Sequence, residues 1–274
     1  MRIQKAMLVF GKDWREVSRN WQVLLPIVVV PFMFSVLLPL FIILIPSLAT
    51  MPGSSLEGLG AMIKNLPSNV KDQLVGMTDQ QVLIYIMSLY FFAPFFLIIP
   101  LMASSVIASD SFAGEKERKT IEALLATPIS DSELFLGKIL VSFIPSMIVT
   151  VVSFLIYSTI VNVFSFTIFN GRLLLPNLMW IMLIFGLAPT LALASIGLTV
   201  MISAKVKGVR EAQQISVILL IPILMLIFGQ VAGATIFGPI MVGILIGAFA
   251  IVDLLVFHVG VKIFRREEIL SKLA

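Results

Sequence analysis

The chain has 274 residues, of which 59% are hydrophobic and 12% charged, and its mean hydropathy is +1.09. Soluble domains carry roughly 25% charged residues, so this composition indicates a protein whose main solvent is membrane lipid. The absence of cysteine excludes disulfides, thiol chemistry and cysteine zinc sites, and the one histidine, His258, leaves little for an imidazole metal site. We expect no metal site and no nucleic-acid partner.

Residues 1–21 precede the first long apolar stretch and combine apolar with basic positions. Apolar residues recur there at helical spacing, with lysine and arginine mostly between them: Ile3, Ala6, Met7, Phe10, Trp14 and Val17. This pattern is typical of an interfacial helix that lies in the headgroup plane of a membrane. A basic anchor that only sets the topology is the alternative interpretation.

Several charge-free windows exceed the length of about 20 apolar residues that crosses a bilayer. The last window is long enough for two spans and a turn, and Gly233, Gly238 and Pro239 favour a turn near "GATIFGP". The sequence therefore predicts an all-α polytopic membrane protein with one transmembrane domain over residues 1–274. Its six predicted spans lie near residues 22–48, 82–108, 138–165, 177–203, 214–235 and 240–263.

Lysine and arginine concentrate in four segments that alternate with the predicted spans. The N-terminal segment, the 109–138 segment, the 204–213 loop and the C-terminal tail hold all but three of the 19 basic residues, the exceptions being Lys64, Lys71 and Arg172. The positive-inside rule then predicts that both termini are cytoplasmic. It makes 109–137 a cytoplasmic loop and 49–81 the one sizeable loop on the outer side.

The 109–137 loop carries more helix signals than a linker requires. Gly114 is a candidate end for the second span, and Thr120 can cap a short helix with Glu122 in its first turn. A small apolar ridge and a terminating proline follow: Ile121, Leu124, Leu125 and Pro128. Because so short an amphipathic helix is not stable by itself, we expect it to dock into a partner surface.

A second helix start follows directly in this loop. Ser130 and Glu133 have the spacing of a capping box, which places a serine at the N-cap and a glutamate three residues later. The sequence therefore predicts that the helix of the third span begins directly after Ser130.

The loop contains the run Asp110-x-Phe112-x-Gly114-Glu115-Lys116-Glu117-x-x-Thr120-Ile121-Glu122-x-Leu124-Leu125-x-Thr127-Pro128-x-Ser130-x-x-Glu133-Leu134-x-x-Gly137-Lys138. This run closely resembles the signature of type-2 ABC exporter permeases. The amphipathic N-terminal segment, the six predicted spans and the short 204–213 loop are also similar to that family, so the resemblance covers nearly the whole chain. The family commonly has glycine just before the threonine, where this chain has Lys119.

The resemblance implies that residues 120–127 form a coupling helix, which fits a groove on a separate ATP-binding subunit. Residues 205–213 form a smaller second contact on this interpretation. The implied ATPase-docking residues are Glu115, Glu117, Thr120, Ile121, Glu122, Leu124, Leu125, Thr127, Pro128, Lys205 and Arg210. The resemblance further implies two ATPase copies, a second permease copy that is identical or homologous, export as the direction, and a prokaryotic cytoplasmic membrane as the location.

Motifs for nucleotide binding and catalysis are missing from the sequence. Lys138 follows Gly137, but the upstream glycine and the following Ser or Thr of a phosphate-binding loop are absent. The sequence also has no Ser/His/Asp set, no H-E-x-x-H motif and no paired intramembrane carboxylates. We therefore expect a non-catalytic membrane subunit with no cofactor of its own, whose ATP is bound by the partner subunit.

Three polar residues are candidates for a transport pathway. Asp253 is the one acid inside a predicted span, and a central Asp costs about 2.5–3.5 kcal/mol on insertion scales, so a functional role is the default hypothesis. A neutral or hydrogen-bonded Asp that faces a neighbouring helix is the alternative. Gln230 and Asn162 are the other two candidates.

Other functions stay open from the sequence. Within the same architecture, some relatives serve in the maturation of a metalloenzyme, in self-immunity to a peptide or in moving lipid-linked material. A stand-alone channel or ion-coupled transporter would work without any ATPase, and the missing catalytic motifs disfavour an intramembrane enzyme. The apolar, Met- and Phe-rich interior does not identify a substrate.

Overall fold

The computed structural model describes residues 3–48, 68–120, 129–203, 205–206, 208–232 and 237–263. The described residues are 85% helical and include no β-strand. The α-helices are Ile3–Val17, Trp21–Phe32, Leu38–Leu48, Ser68–Leu74, Asp79–Ile86, Ala93–Phe96, Ile98–Glu117, Asp131–Ser165, Leu178–Met182, Ala188–Ser203, Val209–Ser216, Ile221–Val231 and Pro239–Ile263. Met33–Leu37, Met87–Phe91 and Leu183–Leu187 are π-helical, and Val217–Leu220 is a 3₁₀ turn.

Six helical segments of the described chain are long and apolar enough to cross a membrane, which confirms the predicted all-α membrane fold. We number them in chain order: span 1, Trp21–Ile43; span 2, Asp79–Glu117; span 3, Glu133–Ser165; span 4, Leu178–Ser203; span 5, Val209–Val231; and span 6, Pro239–Val256.

Span 2 extends further than the sequence predicts. Its last helix runs without a break past residue 108 to Glu117, so the predicted end at Gly114 is wrong. A Cβ at Gly114 would lie 2.8 Å from Arg118 Nη2, the far end of a flexible side chain that can shift. Gly114 therefore lies within the helix and does not terminate it.

Three predicted features fall largely outside the described residues. They are residues 49–67 of the outer loop, residues 121–127 of the predicted coupling helix with Pro128 after it, and residues 233–236 of the turn between spans 5 and 6.

The spans alternate in direction, so their connections lie at two ends of the bundle. At one end, which we call the N-terminal end, the span 2–3 and span 4–5 connections meet beside the helix Ile3–Val17. Lys116 Nζ donates to Val206 O there at 2.9 Å. At the opposite end, the start of span 2 meets the span 3–4 connection, where Gln81 Nε2 donates to Ile168 O at 2.6 Å.

The N-terminal helix Ile3–Val17 packs along spans 2 and 3. Gly137 on span 3 permits the close approach, because a Cβ there would lie 2.7 Å from the carbonyl oxygen of Ala6. The residues that the helix buries are Ala6, Val9, Asp13 and Val17. Only part of the predicted apolar face is therefore buried, and three of its members stay 70%, 47% and 40% exposed: Ile3, Met7 and Trp14. These three suit a membrane interface.

A π-helical turn in span 2 frees backbone carbonyls inside the bundle. Phe92 N bonds to Met87 O at 3.1 Å, one residue further back than in an α-helix. Ser88 O thereby loses its usual donor, and Pro94 has no N–H to offer to Tyr90 O. Hydrocarbon contains no water that could satisfy these groups, so they need partners from the protein.

Side chains from three other spans supply those partners. Tyr157 Oη of span 3 donates to Ser88 O at 2.8 Å, and Trp180 Nε1 of span 4 donates to Leu89 O at 3.0 Å. Gln230 Nε2 of span 5 donates to Tyr90 O at 2.8 Å. Trp180 also stacks on the Tyr157 ring with the ring centres 5.0 Å apart. Four spans are thus joined at one level of the bundle.

Span 6 packs mainly against span 4 through small residues. Gly186 and Gly197 on span 4 admit side chains from span 6: a Cβ at Gly186 would lie 2.6 Å from Ile246 Cδ1, and one at Gly197 would clash with Val256. Small residues commonly mediate close helix packing in lipid. Most other side chains of span 6 face away from the bundle, including Ile244, Ile251 and Leu254.

We expect the Tyr157→Phe variant to be destabilised by about 1 kcal/mol, because it leaves the buried Ser88 carbonyl without a donor while keeping the ring. Thermal unfolding of the detergent-purified protein measures this loss. Thr159→Val is the matched control, since it removes an exposed hydroxyl from the same span that bonds only to its own helix. Equal unfolding midpoints for the two variants would contradict the role of Tyr157.

Candidate functional site

The end of span 2 and the start of span 3 enclose a buried ammonium group. Lys138 is 1% exposed, and its Nζ lies 2.7 Å from Glu115 Oε2 and 3.4 Å from Asp13 Oδ2. The ammonium also donates to Ser111 O at 2.5 Å and lies 5.1 Å from the centre of the Phe112 ring. The ammonium group of Lys138, on span 3, therefore contacts both the N-terminal helix and span 2.

Lys12 approaches the same two carboxylates from the N-terminal helix. Its Nζ lies 2.5 Å from Glu115 Oε1 and 3.3 Å from Asp13 Oδ1. Two lysines thus balance two buried carboxylates, which matters because an uncompensated buried charge strongly destabilises a fold. We call Lys12, Asp13, Glu115 and Lys138 the buried charge cluster.

The pKa of Lys12 reflects the strength of this cluster. Burial by itself lowers the pKa of the ammonium group, but the hydrogen bond to Glu115 and the charges of Glu115, Asp13 and Glu16 outweigh it and raise the pKa above its ordinary value of 10.5. The pKa of Lys12 is thus higher in the folded state than in the unfolded state. Such a group stabilises the fold fully at a pH below its unfolded-state pKa, and this stabilisation is lost as the pH rises through the folded-state pKa. This contribution is therefore complete at neutral pH.

A second set of charges forms the rim of the cluster. Arg118 Nη1 lies 3.4 Å from Asp110 Oδ1, and its Nη2 lies 3.5 Å from Glu16 Oε2. Asn20 Nδ2 donates to Asp110 Oδ1 at 3.2 Å. Exposed pairs such as Arg118–Glu16 contribute at most about 1 kcal/mol each, so the buried cluster dominates the energetics of this region.

Glu117 joins the span 2–3 connection to the span 4–5 connection. Its Oε2 accepts a hydrogen bond from Val209 N at 2.9 Å, at the start of the helix Val209–Ser216. A carboxylate is favourable there because the first N–H groups of a helix are free and its N-terminus is the positive end. Gly208 leaves room for the contact, since a Cβ there would lie 2.9 Å from Glu117 Oε2. The two connections are thereby fastened together.

Span 2 ends in a turn that satisfies its last carbonyls. Thr120 N bonds to Glu115 O at 2.9 Å and Lys119 N bonds to Lys116 O at 3.2 Å, a pair that defines a Schellman motif. This motif needs one residue in the left-handed conformation, and Lys119 adopts that conformation with φ 57°. Glycine takes this conformation without a steric cost, which gives a physical reason for the glycine that the signature commonly has here.

The predicted capping box at the start of span 3 is confirmed. Glu133 N donates to Ser130 Oγ at 3.3 Å, and Ser130 N donates to Glu133 Oε2 at 3.1 Å. The helix Asp131–Ser165 begins directly after Ser130. The helix ends on both sides of residues 121–128 are therefore fixed by defined hydrogen bonds.

The predicted docking residues fall into three groups. Glu115 is 1% exposed and points into the buried charge cluster, and Glu117 caps the helix Val209–Ser216. The exposed group at the N-terminal end consists of Thr120, Lys205 and Arg210. The group outside the described residues consists of Ile121, Glu122, Leu124, Leu125, Thr127 and Pro128. ATPase docking stays a prediction for all three groups.

Sequence reasoning missed the partners that surround Glu115. One signal was present, because Asp13 lies on the apolar stripe of the N-terminal helix between Val9 and Val17, where an acid needs a buried cation. No local pattern identifies that cation as Lys138, which is 125 residues away in the chain.

The candidate pathway residues differ in their surroundings. Gln230 is 1% exposed, and its Nε2 donates to Tyr90 O of span 2. Asn162 Oδ1 accepts hydrogen bonds from Leu174 N at 2.9 Å and from Leu175 N at 3.1 Å. Asp253 is half-buried on span 6, and the described part of the chain offers its Oδ1 no hydrogen-bond partner. Gln230 and Asn162 thus hold backbone groups in place, and a pathway role for any of the three stays a prediction.

Comparison with known proteins identifies the class. Residues 7–261 match the family model described as ABC-2 family transporter protein. The chain therefore belongs to the ABC-2 family of transporter proteins, which confirms the resemblance seen in the sequence. It is a multi-pass membrane permease subunit of an ABC transporter, and permeases of this family work with ABC ATPase subunits. No curated protein and no solved structure matched the chain.

We expect Lys138→Met to destabilise the protein by about 3–5 kcal/mol, because it leaves two buried carboxylates against the single charge of Lys12. The unfolding midpoint in detergent measures the loss, and Lys205→Met, at an exposed position of the same end, is the control. Adding Glu115→Gln to Lys138→Met should recover part of the loss by restoring the charge balance. No loss in Lys138→Met, or no recovery in the double variant, would contradict the cluster.

We expect Lys119→Gly to stabilise the protein by about 1 kcal/mol, because it removes the steric cost of a left-handed lysine. The same unfolding measurement detects the rise. Arg15→Gly serves as the control, since Arg15 is an exposed helical residue at which glycine destabilises. A fall of the midpoint in both variants would argue against the Schellman turn.

Proposed function

We propose that this chain is the membrane permease subunit of an ABC exporter, driven by a separate ATPase that docks on the coupling helix at residues 120–127. ATP is bound by the ATPase partner, and this chain contributes no catalytic group. Two such permeases, identical or homologous, pair with two ATPase copies, and the pathway lies between the permeases. The N-terminal end faces the cytoplasm of a prokaryotic cell.

The observation that carries this proposal is the buried charge cluster at the base of the coupling segment. The segment joins Glu117 at the end of span 2 to Asp131, the first residue of the helix that contains span 3. Lys138, Glu115 and Asp13 lock both of these helix ends to the N-terminal helix. Because a buried pair costs about 3–5 kcal/mol to break, a force applied to residues 121–128 displaces the three helices together before the cluster separates.

The link to span 5 extends this unit. Glu117 and Lys116 attach the span 4–5 connection to the end of span 2 through Val209 N and Val206 O. Closure of the ATPases would therefore tilt spans 2 and 3 and pull on spans 4 and 5, which alternates access to the pathway. In this mechanism Glu115 and Glu117 transmit the force from inside the permease, and the exposed Lys205 and Arg210 supply the second contact.

A second candidate function is a stand-alone ion-coupled transporter. It is favoured by Asp253, whose Oδ1 has no hydrogen-bond partner within the described part of the chain although it lies in an apolar span. An unpaired intramembrane acid is a common proton or cation site. One such acid is fewer than coupled transporters generally use, so we place this function second.

The deciding experiment is co-purification. The C-terminus is tagged, native membranes are solubilised gently, and the recovered proteins are identified by mass spectrometry. A P-loop ATPase should accompany the parent chain and disappear when Leu124 and Leu125 are both changed to Asp, because a charged ridge cannot enter an apolar groove. Val75→Asp, the same change at an 81% exposed position of the opposite end, should retain the ATPase.

Two results would count against the docking proposal. An ATPase that is retained by a well-folded Leu124→Asp, Leu125→Asp variant would place the contact elsewhere. A well-folded parent chain that recovers no ATPase would favour the stand-alone transporter built around Asp253.

A further inference from the structure

A cavity of about 1130 Å³ lies at the end of the bundle opposite the buried charge cluster. Its walls come from residues 70–77, the start of span 2, residues 169–179 and the first turn of span 6. Ligand pockets commonly enclose about 300–1,000 Å³, so this cavity has room for an elongated molecule of drug or lipid-fragment size.

One basic side chain, Arg172, lies among the described residues that line the cavity. Of the described residues that line it, Arg172 alone is charged, and within the described part of the chain its guanidinium forms no ion pair. Four amide side chains also line the cavity: Gln73, Gln81, Asn170 and Asn177. Because the described lining contains no carboxylate, the guanidinium of Arg172 favours an anion, which it can hold with two parallel hydrogen bonds.

The remaining walls are aromatic and aliphatic. The ring centre of Tyr85 lies 6.2 Å from that of Tyr90 and 6.5 Å from that of Phe169. Aliphatic surface is added by Leu178, Met179 and Met241. One cation together with aromatic and aliphatic side chains in the same cavity matches a molecule with an anionic head and an apolar body.

The loop that carries Arg172 is fixed before any ligand arrives. Asn170 and Gly171 adopt left-handed φ values of 51° and 82°, which these two residue types tolerate. On the other side of Arg172, Asn162 makes three hydrogen bonds with the backbone of residues 174–175. A held backbone lowers the ordering cost of binding.

We propose that this cavity binds an anionic amphiphile, with its carboxylate or phosphate on Arg172 and its apolar body against Tyr85, Tyr90 and Leu178. The site needs neither the ATPase nor a second permease copy, so it stands apart from the proposed function. The same chemistry is offered by the headgroup of an anionic lipid and by a free amphiphilic anion that reaches this end of the protein.

The first test uses the unaltered chain in nanodiscs of zwitterionic phosphatidylcholine. Dansyl-labelled undecanoic acid should bind saturably, whereas its uncharged methyl ester should bind about tenfold or more weakly, because the ester cannot pair with the guanidinium. Empty nanodiscs correct for partition into lipid. Equal binding of acid and ester would overturn the proposal.

Competition then separates the two sources of the anion. Displacement of the dansyl probe by phosphatidylglycerol placed in the nanodisc identifies a lipid headgroup, and displacement by decyl phosphate added from solution identifies a free anion. Either result supports an anion site. Failure of both competitors, or equal displacement by a decyltrimethylammonium cation, would overturn it.

Variants locate the site. Arg172→Gln should weaken binding of the dansyl-labelled acid about tenfold or more, and Arg172→Lys should restore only part of it, because an ammonium keeps the charge but loses the two parallel hydrogen bonds. Leu178→Trp should reduce binding by filling the cavity. Lys71→Gln is the matched control, because Lys71 is an exposed cation at the same end that does not line the cavity. Unchanged affinity in a monodisperse Arg172→Gln variant would contradict the assignment to Arg172.

Discussion

The N-terminal end of this permease depends on one buried ammonium group. Lys138 would be too costly to bury alone, and it is compensated by Glu115 from the end of span 2 and by Asp13 from the N-terminal helix. Inside a membrane, apolar packing by itself does not specify which helices contact each other, because lipid tails are as apolar as the side chains. The charge requirement therefore fixes which helices meet, and it brings the N-terminal helix onto the bundle.

Polar groups also determine which segments meet within the spans and at the opposite end of the bundle. The π-helical turn of span 2 leaves carbonyls that hydrocarbon cannot satisfy, and donors from spans 3, 4 and 5 supply the bonds. At the opposite end, Asn162 orders the loop before span 4 by binding its backbone. Polar groups thus decide the arrangement at three levels, while apolar surface fills the space between them. We assign ATPase docking to the end that carries the charge cluster and ligand binding to the end that carries Arg172.

The sequence by itself determined the membrane class, the number of spans and the family. Five long apolar windows, the last with room for two spans, suffice for the first two, because about 20 residues must cross the hydrocarbon whatever their partners are. It also located the start of span 3, since a capping box is a contact between residues three apart, Ser130 and Glu133. These features share one property: their physical cause lies within a few residues of the pattern that reveals it.

Only the tertiary structure decided what the polar signature residues do. The sequence pattern marks Glu115 as a docking residue, yet the fold turns it inward to Lys138 and Lys12. It marks Gly114 as a helix end, yet the helix continues and Lys119 takes the left-handed position. Lys12 and Glu115 are 103 residues apart, and no local periodicity encodes such a pairing. A buried charge needs an opposite charge nearby, and the three-dimensional packing of the helices decides which residue supplies it.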